Sequence, residues 1–219
     1  MPAPSETDLV EFHGWTVRVR SAKIGPARLL LLLHGWTGDE NSMWVFARAL
    51  PEDYWVLAPR APHATRPSGY SWRVPPPRQG DNANLADLLR SAEALIGMID
   101  DYCGTRGDVF EVFDIVGFSQ GAALASVLAL THPARVAKVG LLSGFVPRGA
   151  ESLASARPLN GVRFFVAHGS QDELVSIGDA RQSVQLLEAA GATVTVCEDE
   201  VGHKVSAGCL RGLQAFLLG

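Results

Sequence analysis

Residues 117–121 read Gly-Phe-Ser-Gln-Gly, so a serine lies between two glycines at a spacing of two. The preceding run, Phe110 to Phe118, is apolar and rich in β-branched residues, whereas Ala122 to Leu130 is rich in alanine and leucine. This order predicts a strand, a sharp turn at Ser119 and a helix. In such a turn the serine hydroxyl points out of the sheet, and the glycines leave room for closely packed backbone.

Apolar runs of strand length alternate with helical patterns along most of the chain. The strand-like runs are Leu9 to Val19, Leu29 to Leu33, Tyr54 to Ala58, Phe110 to Phe118, Val136 to Leu142, Val162 to His168 and Thr193 to Glu198. The helical candidates are Ser42 to Leu50, Asn84 to Cys103, Ser119 to Thr131, Ile177 to Ala190 and Val205 to Leu218. The alternation predicts one α/β domain, 1–219, with a mainly parallel sheet of about seven strands and helices on both faces. Leu9 to Val19 is expected as an antiparallel edge strand.

Cysteine usage and the absence of targeting patterns bear on the compartment. Cys103, Cys197 and Cys209 form no CxxC pair and cannot all be paired, so we expect reduced thiols and a cytoplasmic protein. The first residues are polar and acidic, unlike a secretory signal. No apolar run approaches the ~20 residues of a membrane-spanning helix, so we expect no integral membrane segment.

The net charge and the spacing of the histidines limit which ligands and partners we expect the chain to bind. A net charge of −4 predicts no attraction to nucleic acid. The six histidines show no HExxH or comparable spacing, so we expect no metal and no cofactor. A small-molecule or lipid-like acyl substrate fits this composition better, and a homodimer remains open.

A serine nucleophile needs a base, and the base needs a carboxylate to orient it. His203 follows the last strand-like run and precedes the final helix, which makes it the best candidate base. Asp172 follows the strand Val162 to His168, at the edge of the sheet where α/β sites form. Ser119, Asp172 and His203 therefore form the predicted catalytic triad.

Several alternatives to this triad are open in the sequence. Glu173 is the nearest rival acid, and Asp114 lies inside a strand, where a structural hydrogen bond is more plausible. The run from Glu198 to Glu200 suits a solvated turn. His168 and His132 are the competing bases.

Hydrolysis also requires donors for the oxyanion of a tetrahedral intermediate. The backbone amide of Gln120 at the helix start and that of Trp36, in the His-Gly turn after Leu29 to Leu33, are the predicted pair. The segment Pro59 to Ala83, rich in proline and aromatic residues, is predicted to be a long functional loop near the site. Predicted substrate contacts are Tyr70, Trp72, Phe145 and Leu174, with core packing as the competing role for each.

The sequence resembles the phospholipase/carboxylesterase family of α/β-hydrolases, which includes acyl-protein thioesterases. The resemblance spans most of the chain. It is carried by 33–35 with 38–41, 59–62, 69–72, 117–121, 168–169 with Asp172, and 202–203. It implies an α/β-hydrolase fold with a minimal lid and hydrolysis of esters or thioesters through Ser119, Asp172 and His203.

Other functions stay open beside this one. An acyltransferase or peptidase would use the same triad, and a non-catalytic binding module could keep the fold without the chemistry. Four arginines of the long loop, Arg60, Arg66, Arg73 and Arg78, could bind an anionic substrate. Solvated surface positions are the competing interpretation for all four.

Overall fold

One mixed sheet organises the molecule, in a computed structural model that describes residues 7–47, 50–74 and 83–219. The strands are β1 Asp8–Phe12, β2 Trp15–Arg20, β3 Arg28–Leu33, β4 Tyr54–Pro59, β5 His63–Ala64, β6 Tyr70–Ser71, β7 Phe113–Phe118, β8 Val136–Leu142, β9 Arg163–Gly169 and β10 Thr193–Asp199. Eight of them form the sheet, in the order β1-β2-β4-β3-β7-β8-β9-β10, and β5 and β6 form a separate small hairpin.

Helices connect the parallel strands. They are α1 Trp44–Ala47, α2 Leu85–Thr105, α3 Gln120–Thr131, α4 Glu151–Ala154, α5 Ile177–Ala189 and α6 Ala207–Leu218, with a 3₁₀ turn at Pro133–Arg135. Asn84 caps α2 by accepting from the N–H of Asp87, whose carboxylate accepts from the N–H of Asn84 in return. No helix in the described ranges is long and apolar enough to cross a membrane.

Within the eight-stranded sheet, the neighbours along β4-β3-β7-β8-β9-β10 pair in parallel, as the sequence predicts. The antiparallel edge is also confirmed, but Leu9 to Val19 forms two strands rather than one. The chain reverses at His13 and Gly14, which both have positive φ, 47° and 84°, as two-residue hairpin turns require. The single-strand prediction was wrong because this turn lies within an otherwise strand-like run. Because the run forms two strands, the sheet has eight strands rather than the predicted seven.

Both faces of the sheet are covered. Every residue from Leu29 to Leu33 is at most 1% exposed, and alternate side chains of β3 belong to different cores. Leu29, Leu31 and Leu33 pack in the cluster that includes α2 and α3, whereas Leu30 and Leu32 pack in the cluster that includes α6. Continuous apolar sequence is what such a strand needs.

A buried polar cluster ties α6 to the amino ends of the strands. The Leu217 carbonyl accepts from Arg28 Nη1 at 3.2 Å, from Tyr54 Oη at 3.3 Å and from Lys138 Nζ at 2.9 Å. The Tyr54 hydroxyl also donates to Asp114, so the predicted structural role of Asp114 is confirmed. Burial raises the pKa of Asp114, although Tyr54 and nearby cations oppose this.

Two of the three cysteines are bonded, contrary to the expectation of reduced thiols. Cys197 in β10 and Cys209 in α6 form a disulfide, with their Cα atoms 5.6 Å apart, and Cys103 is free and buried. The spacing of twelve residues does not reveal the pairing, because it depends on how the turn after β10 returns α6 against the sheet.

Candidate active site

Ser119 occupies a strained turn between β7 and α3. Its φ of 54° and ψ of −116° lie outside the regions that L-residues usually adopt, and its N–H donates to Leu142 O at 2.9 Å. Glycine is required at 117 and 121, on both sides of Ser119, because any side chain there would collide with neighbouring backbone. A Cβ on Gly117 would lie 2.2 Å from the Gly121 carbonyl oxygen, and one on Gly121 would lie 2.1 Å from that of Leu33.

Asp172 lies in the turn after β9, and its side chain is fully buried. Its Oδ1 accepts from the N–H groups of Leu174 and Val175 at 2.9 and 3.0 Å, whereas Oδ2 is 2.7 Å from His203 Nδ1. Burial by itself raises the pKa of Asp172, but the bonds from Val175, His203 and Leu174 outweigh it and lower the pKa below its ordinary value. The carboxylate therefore stays ionised and can hold a proton on His203 Nδ1.

His203 lies in the turn between β10 and α6. Its ring packs on that of Phe118, the residue before the serine, with ring centroids 5.0 Å apart. The turn approaches β9 closely, since a Cβ on Gly169 would lie 2.2 Å from Val201 O. The side chain is 18% exposed, so the imidazole lies between the buried acid and solvent.

His168, a rival base in the sequence, also lies beside the acid. Its Nε2 is 2.9 Å from Val175 O and 3.5 Å from Asp172 Oδ2. Within the described part of the chain, its buried Nδ1 has no hydrogen-bond partner. With its proton on Nε2, His168 donates to Val175 O and supports the Asp172 turn.

The remaining rivals lie away from this arrangement. Glu173 is exposed beside Asp172, and Glu198 forms an ion pair with Arg181 at 2.7 Å. His132 contacts Thr131 Oγ1 and Glu93 at the end of α3. The structure thus brings Asp172 and His203 together, places His168 at the same carboxylate, and gives Glu198 and His132 other partners.

The turn after β3 places backbone N–H groups beside the serine. A Cβ on Gly35 would lie 3.3 Å from Ser119 Cβ, so this turn contacts the nucleophile directly. Among the described residues, neither the N–H of Trp36 nor that of Gln120 has a hydrogen-bond acceptor. Two unpaired donors therefore flank Ser119.

His34 fixes the shape of this turn. Its Nε2 accepts from Ala61 N–H at 3.0 Å, and its Nδ1 is 2.7 Å from Gly35 O. An acceptor at Nε2 places the proton on Nδ1, so the ring is neutral. Burial lowers the pKa of His34, although the Gly35 carbonyl and nearby carboxylates oppose it.

Trp72, a predicted substrate contact, is a structural residue. It is 0% exposed, its indole N–H donates to His34 O at 2.8 Å, and its backbone N–H donates to Gln120 Oε1 at 2.9 Å. This environment fits core packing, the competing role, and contact of Trp72 with a substrate stays a prediction. Through these two bonds Trp72 joins the β3 turn to the start of α3.

The other predicted substrate contacts differ in environment. Tyr70 is half-buried, with the Arg60 guanidinium 4.8 Å from its ring centroid. Phe145 is 8% exposed and lines a cavity of about 730 Å³ beside α5 and the start of α2. Leu174 is 72% exposed next to the acid. Their contacts with a substrate stay predictions.

The long loop is described as far as residue 74 and again from residue 83, so Arg78 lies outside the described residues. Its described part forms the β5–β6 hairpin, whose Tyr70 exchanges backbone bonds of 3.0 Å with Thr37 and Gly38. Arg60 forms an ion pair with Glu40 at 2.7 Å, and Arg73 with Asp87 at 3.1 Å. Anion binding by these arginines stays a prediction, and two of them already have carboxylate partners.

Sequence reasoning missed His34 and the Gln120 side chain as parts of the site's framework. Both belong to quoted motifs, but their roles depend on partners distant in the chain, Ala61 and Trp72. The nearest sequence signal is the adjacency of histidine to Gly35. This adjacency predicts a turn, but it does not predict that Ala61 is the hydrogen-bond partner of His34.

A mainly parallel sheet, a strained serine between β7 and α3, and an acid and a histidine in loops at the same sheet edge define the α/β-hydrolase class. Within it, the profile of the phospholipase/carboxylesterase family matches residues 16–218. The chain therefore belongs to the phospholipase/carboxylesterase family, a family of esterases and thioesterases.

Individual relatives agree with this assignment. The chain is 27% identical over 188 residues to acyl-protein thioesterase 1 of Mycosarcoma maydis, covering 75% of this chain and 77% of that protein. It is 25% identical over 197 residues to a probable inactive carboxylesterase of Oryza sativa subsp. japonica, covering 82% and 79%. In fold it is similar to a carboxylesterase from Mesorhizobium loti, with a TM-score of 0.82, 23% identity and coverage of 97% and 99%.

Proposed function

We propose that this chain is a serine hydrolase that cleaves carboxylic esters or thioesters through Ser119, His203 and Asp172. The observation that carries the proposal is the 2.7 Å bond between His203 Nδ1 and a buried, ionised Asp172, beside a serine in a strained turn. The Phe118 ring packs on His203 and leads directly into Ser119. The acid, the base and the nucleophile are thus linked through adjacent contacts.

In the first half-reaction, His203 Nε2 takes the proton of Ser119 as Oγ attacks the carbonyl carbon. Asp172 keeps the imidazole in the required tautomer and stabilises the imidazolium that forms. The imidazolium then gives its proton to the leaving oxygen or sulfur. An acyl-enzyme on Ser119 results.

The N–H groups of Trp36 and Gln120 are the proposed oxyanion donors. Both are unpaired within the described residues, so a developing oxyanion would satisfy them without breaking an existing bond. Hydrogen bonds held by Trp72 and His34 fix the two segments that carry them. Preorganised donors of this kind each lower the barrier by about 3–4 kcal/mol.

In the second half-reaction, water attacks the acyl-enzyme while His203 again acts as the base, which releases the acid and restores Ser119. Transfer to an alcohol or amine in place of water would make the protein an acyltransferase. Competition between water and an added amine for the acyl-enzyme separates the two outcomes.

The substrate is proposed to be a small-molecule or lipid-like acyl ester. Tyr70, Phe145 and Leu174 are the proposed apolar contacts. A series of p-nitrophenyl esters with increasing acyl length tests this. We expect kcat/KM to change with chain length in the wild type and less so in Phe145→Ala.

The triad is tested by Ser119→Ala, which should lower kcat for a short p-nitrophenyl ester by about 10⁴-fold or more. Ser126→Ala is the matched control. Ser126 lies in α3, the helix that follows Ser119, is fully buried and donates to Ala123 O, so this variant should retain activity. An unchanged rate in Ser119→Ala would refute the assignment.

A non-catalytic binding module is the second candidate, because one relative of similar coverage is named as probably inactive. The two candidates differ in the reactivity of the serine. A fluorophosphonate probe should label Ser119 in a hydrolase, and Ser119→Ala should abolish the labelling. Absence of labelling in the folded wild type would favour the binding module.

A further inference from the structure

The hydrophobic core contacts the segment that carries His203 only through partly buried side chains, those of Val194, Cys197 and Val205. From Thr193 to Gly208 no side chain is fully buried. β10 is the last strand of the sheet and pairs with β9 alone among the described strands. Segments with few buried apolar contacts at a sheet edge open locally most easily. The proposed base therefore lies on one of the least anchored parts of the described structure.

The Cys197–Cys209 disulfide closes this segment at both ends. Cys197 lies in β10 and Cys209 in the first turn of α6, with a sequence separation of 12 and His203 midway between them. Cys209 is 2% exposed and packs in the core cluster with Leu213 and Leu217. The bond thus anchors a largely exposed strand and turn to the buried face of α6.

Inside the closed segment, His203 has two further contacts that set its direction. Nδ1 bonds to Asp172 at 2.7 Å, and the ring packs on Phe118. Backbone anchoring comes from Val201 O, which accepts from Gln171 N–H at 3.1 Å. A closed loop has far fewer conformations than an open one, so the disulfide restricts where the imidazole can lie relative to its acid.

We propose that Cys197 and Cys209 are positioning residues for His203, and that their disulfide keeps the imidazole aligned between Asp172 and Ser119. The proposal rests on the proposed function, since it assigns His203 as the base. Reduction should leave the sheet folded, because the rest of the core does not involve the bond. It should lower kcat with little effect on KM, since the bond acts through the base and not through substrate contacts.

Reduction of this disulfide proceeds by thiol–disulfide exchange with a dithiol. One thiolate of the dithiol attacks a sulfur of the pair, and a mixed disulfide forms as the other cysteine leaves as a thiolate. The second thiol of the reagent then displaces the protein sulfur. The dithiol ends as its own disulfide, and two electrons and two protons convert the protein disulfide to two cysteine thiols.

The test compares the untreated protein with protein treated with dithiothreitol, after removal of the reagent without air. Thiol titration of samples denatured without air should give one free thiol before treatment and three after it. We expect kcat to fall by about 10-fold to 100-fold, the effect of a small misplacement of a catalytic group, with KM within about twofold. The low-field proton resonance of the His203 Nδ1–H bond to Asp172 should broaden or vanish.

Two variants provide controls. The double variant Cys197→Ala, Cys209→Ala should behave like reduced protein without any reagent. Cys103→Ala, which removes the free buried cysteine, should retain wild-type kcat and the wild-type response to dithiothreitol. Assays at a temperature well below the unfolding transition of the least stable protein separate positioning from unfolding.

The proposal is overturned if the reduced protein is folded, titrates three thiols and keeps its kcat and its His203 resonance. It is also overturned if neither the reduced protein nor the double variant folds at any temperature, because the bond would then be needed for folding. Failure of the proposed function looks different. No turnover and no fluorophosphonate labelling would occur in either redox state, while the resonance could still report the position of His203.

Discussion

Ser119 combines three properties at a single residue: a backbone conformation outside the usual regions, a place before the first turn of α3 and a neighbour, Gly35, without a side chain. Strain of this kind costs about 1–3 kcal/mol and persists only where the surroundings enforce it. Here the surroundings are the carbonyls of Gly121 and Leu33, which exclude any side chain at the flanking glycines. The position of the hydroxyl is therefore set by backbone packing.

The role of the acid is tested by Asp172→Asn. The amide keeps the shape of the side chain but lacks the charge that fixes the proton on His203 Nδ1, so we expect kcat to fall by about 10⁴-fold. Steady-state kinetics on a short ester checks this. Glu173→Gln is the matched control, because Glu173 is the adjacent, exposed acid and should be dispensable.

The buried His34 should make stability depend on pH. Its pKa is lowered in the folded state, so below about pH 6.5 the unfolded chain binds more protons than the native one. This lowers the free energy of unfolding as the pH falls towards the folded-state pKa and has no effect above about pH 6.5.

Denaturant unfolding of the wild type and His34→Gln checks this. The variant lacks the titrating ring, so the stability gap between the two proteins should narrow between about pH 7.5 and about pH 5. A gap that stays constant over this range would contradict the assigned neutral state of His34.

At the scale of residues, the sequence predicted which residue types form the candidate site and their order along the chain, but not which side chains are in contact. Asp172 and His203 could be placed in loops at one sheet edge because strand order dictates which loops meet. The competing histidine, His168, follows the same logic and lies at the same acid. Which of the two faces the serine depends on side-chain direction, which spacing does not encode.

At the scale of elements, the turn from β7 to α3 should be intolerant of a single methyl group. Gly117→Ala would place a Cβ 2.2 Å from a backbone oxygen of Gly121, and backbone cannot move as a flexible side chain can. We expect a loss of about 3 kcal/mol or more of unfolding free energy. Chemical denaturation measures it.

Gly97→Ala is the control for this substitution. Gly97 lies inside α2 on an exposed face, and a Cβ there would meet nothing within 4 Å. Replacement should stabilise the protein by about 0.5–1 kcal/mol. Equal destabilisation by the two substitutions would show that contact at the turn is not the cause.

Element boundaries were predicted best where burial is continuous. Val136 to Leu142 agrees with β8, and the helix predicted from Ile177 ends within one residue of α5. The failures occur where turns interrupt apolar runs or where pairing is distant. Phe110 to Val112 is not strand, and the 9–19 run contains a hairpin turn. Local propensity cannot distinguish a strand from two strands joined by a tight turn.

On the scale of the whole molecule, the polar cluster around Leu217 O lies at the amino ends of the strands, and the proposed triad lies at their carboxyl ends. Asp114→Ala should therefore lower the free energy of unfolding by about 3 kcal/mol, because it removes the carboxylate that accepts from the Tyr54 hydroxyl and offsets the charge of buried Lys138.

The same variant should retain wild-type kcat/KM at temperatures where it is folded. Asp108→Ala, in the exposed turn before the same strand, should change neither quantity. Thermal unfolding and ester hydrolysis on the same samples measure both. Loss of activity in folded Asp114→Ala would show that the polar cluster and the proposed triad are coupled.

The order of strands in the sheet also has a kinetic consequence. Every parallel neighbour of β3, β7, β8 and β9 is separated from it by a connecting segment of chain, so few of the contacts that build the sheet are local. Pairing over such distances is slow to form. The loops after β3, β7, β9 and β10 meet only once these pairings exist, so the return of ester hydrolysis during refolding should lag behind the return of helical circular dichroism.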